Sequence, residues 1–321
     1  MFLQGSMTAL ATPFTADGLD QDTFENFVEW QISEGTDGLV PCGTTGEAPT
    51  LTAGERYRLI RICVECAAGS VPVIAGTGTN CTASTIEQTR AAKAAGADAA
   101  LIVTPYYSRP TQEGLYRHFA AVASAVDIPI VLYNVPKRTG VDLHFSTVEQ
   151  LARIPNIVGI KDASGDLDRP RVTALVAGPQ FIQLCGDDAN AVTFNLAGGR
   201  GCISVVANVV PALCRDLQQA CRTKAWGEAR DIQHRLKSLN DAMAREPNPG
   251  PIKQALAALH PGFSPEPRLP LVGVAHETAA EIGDALAGLG LHPSRPAGEV
   301  DWGGLQQPRC ASPAVTVWRA E

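Results

Sequence analysis

The chain has 321 residues, 45% hydrophobic and 18% charged, an ordinary globular composition with enough apolar side chains for a large core. A net charge of −7 argues against a nucleic-acid partner, which would favour a basic face, but leaves room for a local basic pocket facing an acidic substrate. No apolar run approaches the roughly 20 residues that span a membrane, and the N-terminal MFLQGSMTALA lacks the basic region of a signal peptide, so a cytoplasmic protein is expected.

Eight short apolar runs recur through the first two-thirds of the chain. In order they are SMTALATPF from Ser6, DGLVPCG from Asp37, VPVIAGTG from Val71, DAALIVTP from Asp98, IPIVLYNVP from Ile128, NIVGIKD from Asn156, FIQLCGD from Phe181 and GCISVVAN from Gly201. Each is too short for a helix and is closed by Gly, Pro, Asn or Asp. They are apolar throughout rather than alternating, which suits parallel strands covered on both faces. Between them lie amphipathic stretches such as LTAGERYRLIRICVECA and STIEQTRAAKAAG, and Thr52 precedes Glu55 at capping-box spacing. The alternation predicts an α/β fold, a (β/α)8 TIM barrel whose strands and intervening helices occupy residues 1–206. A doubly wound open sheet is the competing topology.

After Val206 the strands stop. VVPALCRDLQQACRTK, AWGEARDIQHRLKSLNDAMAR, GPIKQALAALH and ETAAEIGDALAGLG read as helices. Residues 207–291 are therefore assigned to the final barrel helix and a C-terminal helical appendage. From His292 the chain is Pro- and Gly-rich without a period, and 292–321 is expected to be a disordered or loosely attached tail. The nine cysteines are scattered, and Cys63-x-x-Cys66 has no second pair or histidine cluster beside it. Reduced, buried thiols are expected there rather than a metal site.

In such a barrel the active site lies at the C-terminal ends of the strands. The polar residues at those ends are Cys42 to Glu47, Thr104, Tyr106 and Tyr107, Tyr133, Asn134, Lys137 and Arg138, Lys161 and Asp162, and Gly186 to Asp188. This set suits carbonyl chemistry through an amine rather than a metal hydrolase or a Ser or Cys protease. Burial disfavours the charged form of a lysine, and a neutral amine can attack a ketone to form a Schiff base. The iminium acidifies the adjacent carbon, and the enamine can then attack an aldehyde. A nearby tyrosine can shuttle the proton. The backbone of the G-T-T-G turn can hold one carboxylate and a guanidinium another. Each residue also has a plain structural reading. Lys161 could snorkel to the rim or pair with Asp162 or Glu47, Tyr133 could be a core aromatic, Arg138 a loop cation, Thr44 and Thr45 turn and cap residues, and Tyr106 and Tyr107 packing aromatics. The AGTGT stretch from Ala75 lacks the full dinucleotide fingerprint and reads as a tight βα turn.

Six ordered motifs carry a resemblance: GTTGE (43–47), VTPYYSRPTQEGLYRHF (103–119), YNVPKRTG (133–140), GIKDASGD (159–166), GDD (186–188) and EPNPGPIK (246–253). With them the chain, from about Phe2 to Leu291, resembles the 4-hydroxy-tetrahydrodipicolinate synthase (dihydrodipicolinate synthase) family of the pyruvate-dependent class I aldolase superfamily. The resemblance implies that Lys161 forms the Schiff base with pyruvate and that Tyr133 is the proton shuttle, linked through Thr44 to Tyr107 of a neighbouring subunit. It implies that Thr45 binds the pyruvate carboxylate, that Arg138 binds the carboxylate of L-aspartate 4-semialdehyde, and that the carbonyls of Gly186 and Ile203 lie near the intermediate. It further implies the diaminopimelate route to lysine, a homotetramer built as a dimer of tight dimers, and no cofactor or metal beyond the covalent substrate. N-acetylneuraminate lyases and keto-deoxy sugar acid aldolases are the alternative within the superfamily; they share the lysine and tyrosine but generally lack the arginine of YNVPKRTG. A catalytically silent binding barrel is disfavoured by the complete residue set. Ala53, Arg56 and Ser84 depart from the basic, aromatic and acidic residues of lysine-inhibited members, while Asn80 and Tyr106 remain, so weak or absent inhibition by lysine is expected. Gly250 replaces a bulkier residue at the start of a helix.

Overall fold

A computed structural model describes residues 3–292. The expected tail beyond His292 lies outside the described residues.

All eight predicted runs form strands of one parallel sheet: β1 (Gly5–Ala9), β2 (Gly38–Val40), β3 (Ile74–Gly76), β4 (Ala99–Val103), β5 (Ile130–Asn134), β6 (Ile157–Asp162), β7 (Ile182–Cys185) and β8 (Gly201–Ser204). The ladder runs β2-β1-β8-β7-β6-β5-β4-β3. Its two ends meet through a parallel bridge between Leu39 and Val73. There the Leu39 N–H donates to the Pro72 carbonyl (2.9 Å) and the Gly76 N–H to the Pro41 carbonyl (2.9 Å). The sheet is therefore a closed barrel, which excludes the open doubly wound topology.

Close packing against both neighbouring strands explains the AGTGT turn. A Cβ on Gly76 would lie 2.1 Å from the Cys42 carbonyl oxygen, and one on Gly78 would lie 2.4 Å from the Val103 nitrogen. Both glycines let neighbouring backbones approach.

Helices wrap the barrel: α1 (Gln21–Ser33), α2 (Ala53–Ala67), α3 (Thr82–Ala94), α4 (Gln112–Ala125), α5 (Phe145–Leu151), α6 (Arg169–Ala177), α7 (Ala191–Leu196) and α8 (Pro211–Arg222). The capping box forms as predicted at α2, with the Glu55 N–H donating to Thr52 Oγ1 (3.2 Å) and the Thr52 N–H to Glu55 Oε2 (2.8 Å). Side-chain alternation along the strands sorts the core into layers. Met7, Val40, Ile74, Leu101, Val131, Tyr133, Leu184 and Ile203 fill the barrel interior. Their neighbours in sequence, such as Leu39, Ile102, Leu132 and Ile160, pack outward against the helices.

Among the described residues four helices follow the barrel: α9 (Trp226–Arg235), α10 (Lys237–Met243), α11 (Gly250–Leu259) and α12 (His276–Gly288). The single helical stretch read between Ala225 and Arg245 is thus two helices that meet at Leu236. A small antiparallel ladder, Phe14–Thr15 with Gly18–Leu19, has no counterpart among the sequence expectations. Two-residue strands carry no period to detect. Among the described residues no helix is long and apolar enough to cross a membrane. Cys63 is buried in the core and Cys66 is half-buried with its sulfur facing Glu25 and Glu29; neither is in a disulfide among the described residues.

Candidate active site

Strand alternation turns Lys161 into the barrel mouth and Asp162 away from it. Lys161 is in register with Tyr133 on β5 and Leu184 on β7, both interior residues. It is only 5% exposed, and its Nζ lies 4.4 Å from the centre of the Tyr133 ring. Gly186, just past β7, makes room for it: a Cβ there would lie 2.9 Å from Lys161 Cε and 2.8 Å from Ala163 Cβ.

The two carboxylates weighed as its ion partners, Asp162 and Glu47, are engaged elsewhere. Asp162 Oδ2 lies 3.0 Å from Arg169 Nε and accepts from Asn134 Nδ2 (3.0 Å), while its Oδ1 accepts from the Ser164 N–H (2.9 Å) and Oγ (2.5 Å). Glu47 Oε1 accepts from Lys253 Nζ at 2.8 Å. Burial also removes the snorkelling alternative, so of the plain readings of Lys161 none survives.

Lys161 opens into a cavity of about 400 Å³ lined also by Thr44, Thr45, Tyr133, Arg138, Gly186 and Asn248. Thr44 and Thr45 sit on a tight turn after β2. Cys42 and Glu47 take left-handed φ values of +57° and +55°, and a Cβ on Gly46 would press on the Leu10 carbonyl at 3.0 Å. The turn passes into a single 3-10 turn, Ala48–Thr50, before α2 begins, rather than opening directly onto a helix. The N–H groups of Thr44 and Thr45 donate to no acceptor among the described residues, which leaves two amides at the mouth for an anion. Thr45 Oγ1 accepts from Asn248 Nδ2 (3.0 Å). Asn248 was not singled out as a site residue from sequence, although it lies inside the quoted EPNPGPIK motif.

Arg138 stands on the short Pro136–Thr139 turn that follows β5. It is exposed at the mouth beside Lys137, and it makes no ion pair among the described residues. Asp188 closes the opposite wall, where its Oδ2 accepts from the N–H groups of Val205 (2.8 Å) and Val206 (3.3 Å). Burial raises its carboxyl above the ordinary value, and the hydrogen bonds from Ser204, Val205 and Val206 oppose that.

Two expected members stand apart from the cavity. Tyr107 is 90% exposed at φ +71° and projects from the loop after β4. Tyr106 turns inward instead and, with Arg56, Thr44, Tyr133 and Arg138, lines an adjoining cavity of about 210 Å³. Arg56 Nη2 is held there by the Ala48 carbonyl. Ile203 is fully buried in the interior, paired in register with Met7, and Val205 and Val206 form the cavity wall beyond it. The thiols near the mouth are poor nucleophiles. Burial pushes Cys42 up to about 12, and the hydrogen bond with Cys185 together with burial holds Cys202 well above the usual thiol range.

A depression of about 450 Å³ at the opposite end of the barrel, between Leu3, Pro129, Pro155 and Phe181, lacks any such convergence of polar groups. In this fold the N-terminal face serves stability rather than chemistry.

Residues 2–288 match the model of the dihydrodipicolinate synthetase family. The chain belongs to that family. It is 51% identical over 287 residues to the 4-hydroxy-tetrahydrodipicolinate synthase of Sphingopyxis alaskensis, covering 89% of this chain and 99% of that one. The dihydrodipicolinate synthase of Aquifex aeolicus superposes with a TM-score of 0.89 at 39% identity, covering 91% of this chain and 100% of the other. The chloride-inhibited dihydrodipicolinate synthase of Acinetobacter baumannii, solved in complex with pyruvate, superposes with a TM-score of 0.88 at 43% identity, over 90% and 100% of the two chains. Members of the dihydrodipicolinate synthetase family thus share this barrel together with its C-terminal helices, almost end to end.

Proposed function

We propose that this chain condenses pyruvate, held as a Schiff base on Lys161, with L-aspartate 4-semialdehyde, the 4-hydroxy-tetrahydrodipicolinate synthase reaction of the diaminopimelate route to lysine. The observation that carries the reading is the amine of Lys161, buried against Tyr133 in a cavity that also presents Arg138 without an ion partner among the described residues.

Lys161 Nζ adds to the pyruvate carbonyl carbon, and the carbinolamine loses water to give the iminium. Loss of a methyl proton gives the enamine, whose carbon attacks the aldehyde of the second substrate. The Tyr133 hydroxyl carries protons between these steps. Thr44 passes them on, and the partner subunit's Tyr107 completes the relay. The 90% exposure of Tyr107 in a single chain supports that last role, since a side chain that does not line its own chain's cavity needs a second copy to act. Thr45 and the free amides of its turn hold the pyruvate carboxylate, and Arg138 holds that of the semialdehyde by a two-pronged contact. The carbonyls at Gly186 and Ile203 border the intermediate.

The reaction needs no cofactor or metal beyond the covalent substrate. A homotetramer of tight dimers in the cytoplasm suits this reading, and so does the division of the chain into barrel strands with their helices (1–206) and a helical unit (207–291). Relatives named as synthases over nearly their whole length favour it over a sugar acid lyase. The deciding assay compares L-aspartate 4-semialdehyde with sugar-derived aldehydes after borohydride trapping with pyruvate. An intact protein that traps no pyruvate, or that turns over only the sugar aldehydes, would overturn it.

A further inference from the structure

Three hydrogen bonds from the helical unit hold the turn that carries Thr44 and Thr45. Asn248 Nδ2 donates to Thr45 Oγ1 (3.0 Å), Lys253 Nζ to Glu47 Oε1 (2.8 Å), and the Arg268 N–H to Glu47 Oε2 (2.7 Å). The Glu47 and Lys253 side chains are both 0% exposed. Lys253 Nζ also stands 4.6 Å from the centre of the Phe14 ring. Each oxygen of Glu47 thus has one donor, and the pair is sealed from water. A buried ion pair holds its geometry strictly, because separating the charges leaves each without solvent.

Glu47 transmits that constraint to the turn. Its backbone is left-handed, a conformation glutamate seldom adopts. Its N–H donates to the Thr44 carbonyl (3.1 Å), and its own carbonyl accepts from the Thr50 N–H (2.9 Å) and Oγ1 (3.0 Å). Displacing the Glu47 carboxylate therefore displaces the two threonines.

We infer that Glu47 and Lys253 are positioning residues: their ion pair, supported by the Arg268 N–H and Asn248, uses the C-terminal helices to hold the Thr44–Thr45 turn where a keto-acid carboxylate must sit for Lys161 to attack. This rests on the reading of that turn as the carboxylate site. The pair touches no substrate, so its effect falls on pyruvate binding and spares the later aldehyde step.

The test uses the full chain with Glu47→Gln and Lys253→Met combined, so that neither charge is left buried alone, and Arg153→Ala, which breaks a surface pair with Glu149, as the control. The folded double variant should raise KM for pyruvate about tenfold or more, with kcat within about threefold of wild type and KM for the aldehyde unchanged. Adduct trapped by borohydride at subsaturating pyruvate should fall to match. An unchanged KM for pyruvate in a folded variant overturns the inference. So does a loss of kcat with both KM values altered alike, which marks a purely structural pair. Should the double variant not fold, hydrogen exchange of the wild type decides. Trapping the pyruvate adduct should slow exchange in 43–50 and also in 250–259, and protection confined to 43–50 overturns the inference. Wild-type protein that traps no pyruvate removes the Schiff-base reading and this inference with it, whereas equal trapping by wild type and variant at subsaturating pyruvate removes the inference alone.

Discussion

Lys161 and Tyr133 face each other from adjacent parallel strands at the same register, with the lysine Nζ 4.4 Å from the centre of the tyrosine ring. A cation or amine over an aromatic face gains modest attraction. The greater consequence is spatial, because the ring fixes where the amine stands while no carboxylate among the described residues forms an ion pair with it. Lys161→Ala should abolish the mass increase left by pyruvate and borohydride. Tyr133→Phe keeps the ring and removes the hydroxyl, so the adduct should still form while turnover falls by about 10²- to 10⁴-fold. Loss of adduct in Tyr133→Phe at long incubation would show that the ring positions the lysine less well than argued.

Gly186→Ala tests the space beneath that amine. The added methyl would meet Lys161 Cε and Ala163 Cβ inside van der Waals distance. The backbone or the lysine must shift, costing about 1–3 kcal/mol of stability, and activity should fall about tenfold or more. A thermal melt and a turnover assay read the two effects. Wild-type values in both would mean that the strand end yields freely.

Arg138→Ala removes a guanidinium that pairs with no acidic side chain among the described residues. KM for L-aspartate 4-semialdehyde should rise by about two orders of magnitude, as expected for a lost charge-assisted contact. Pyruvate trapping should stay at the wild-type level. A variant that no longer traps pyruvate would move Arg138 to the other carboxylate.

Tyr107 and Tyr133 can be separated by complementation. Tyr107→Phe and Tyr133→Phe should each be nearly inactive alone. Mixed and reassociated, chains that exchange Tyr107 across a dimer produce one intact site in each hybrid, and about a quarter of wild-type activity should return. If the mixture remains as inactive as its parents, Tyr107 serves its own chain or none.

Two buried histidines set an acid limit on stability. Burial lowers both His118 and His260 to about 4, against roughly 6.5 in the unfolded chain. Between those values the unfolded chain binds protons that the folded one refuses. Stability is therefore full above about pH 6.5 and declines as pH falls towards 4, by up to about 3 kcal/mol per histidine. His118→Leu should make the decline shallower, as read by urea midpoints near pH 5 and pH 7. A variant with the wild-type pH slope would remove His118 from the account.

The eight strands were legible because a parallel strand covered on both faces is a continuous apolar run, and Gly, Pro, Asn and Asp mark its ends. Lys161 was visible for the same reason, as the one cation closing such a run. The plain readings of Lys161 could not be separated by local pattern. They parted only when Asp162 was found beside Arg169 and Glu47 beside Lys253. Tyr107 shows the converse. Its motif was recognised, but the loop turns Tyr106 inward and leaves Tyr107 outside the cavity of its own chain.

The sequence by itself determined the succession of strands and helices in the barrel, the capped start of α2 and the identity of the residues at the barrel mouth, because periodicity and capping act over a few neighbours along the chain. Tertiary structure decided what closes the barrel, which carboxylates are already taken, and how the turn at Thr45 is held by residues some two hundred positions away. Those are matters of burial and charge pairing between distant segments, and nothing in the local order of residues records them.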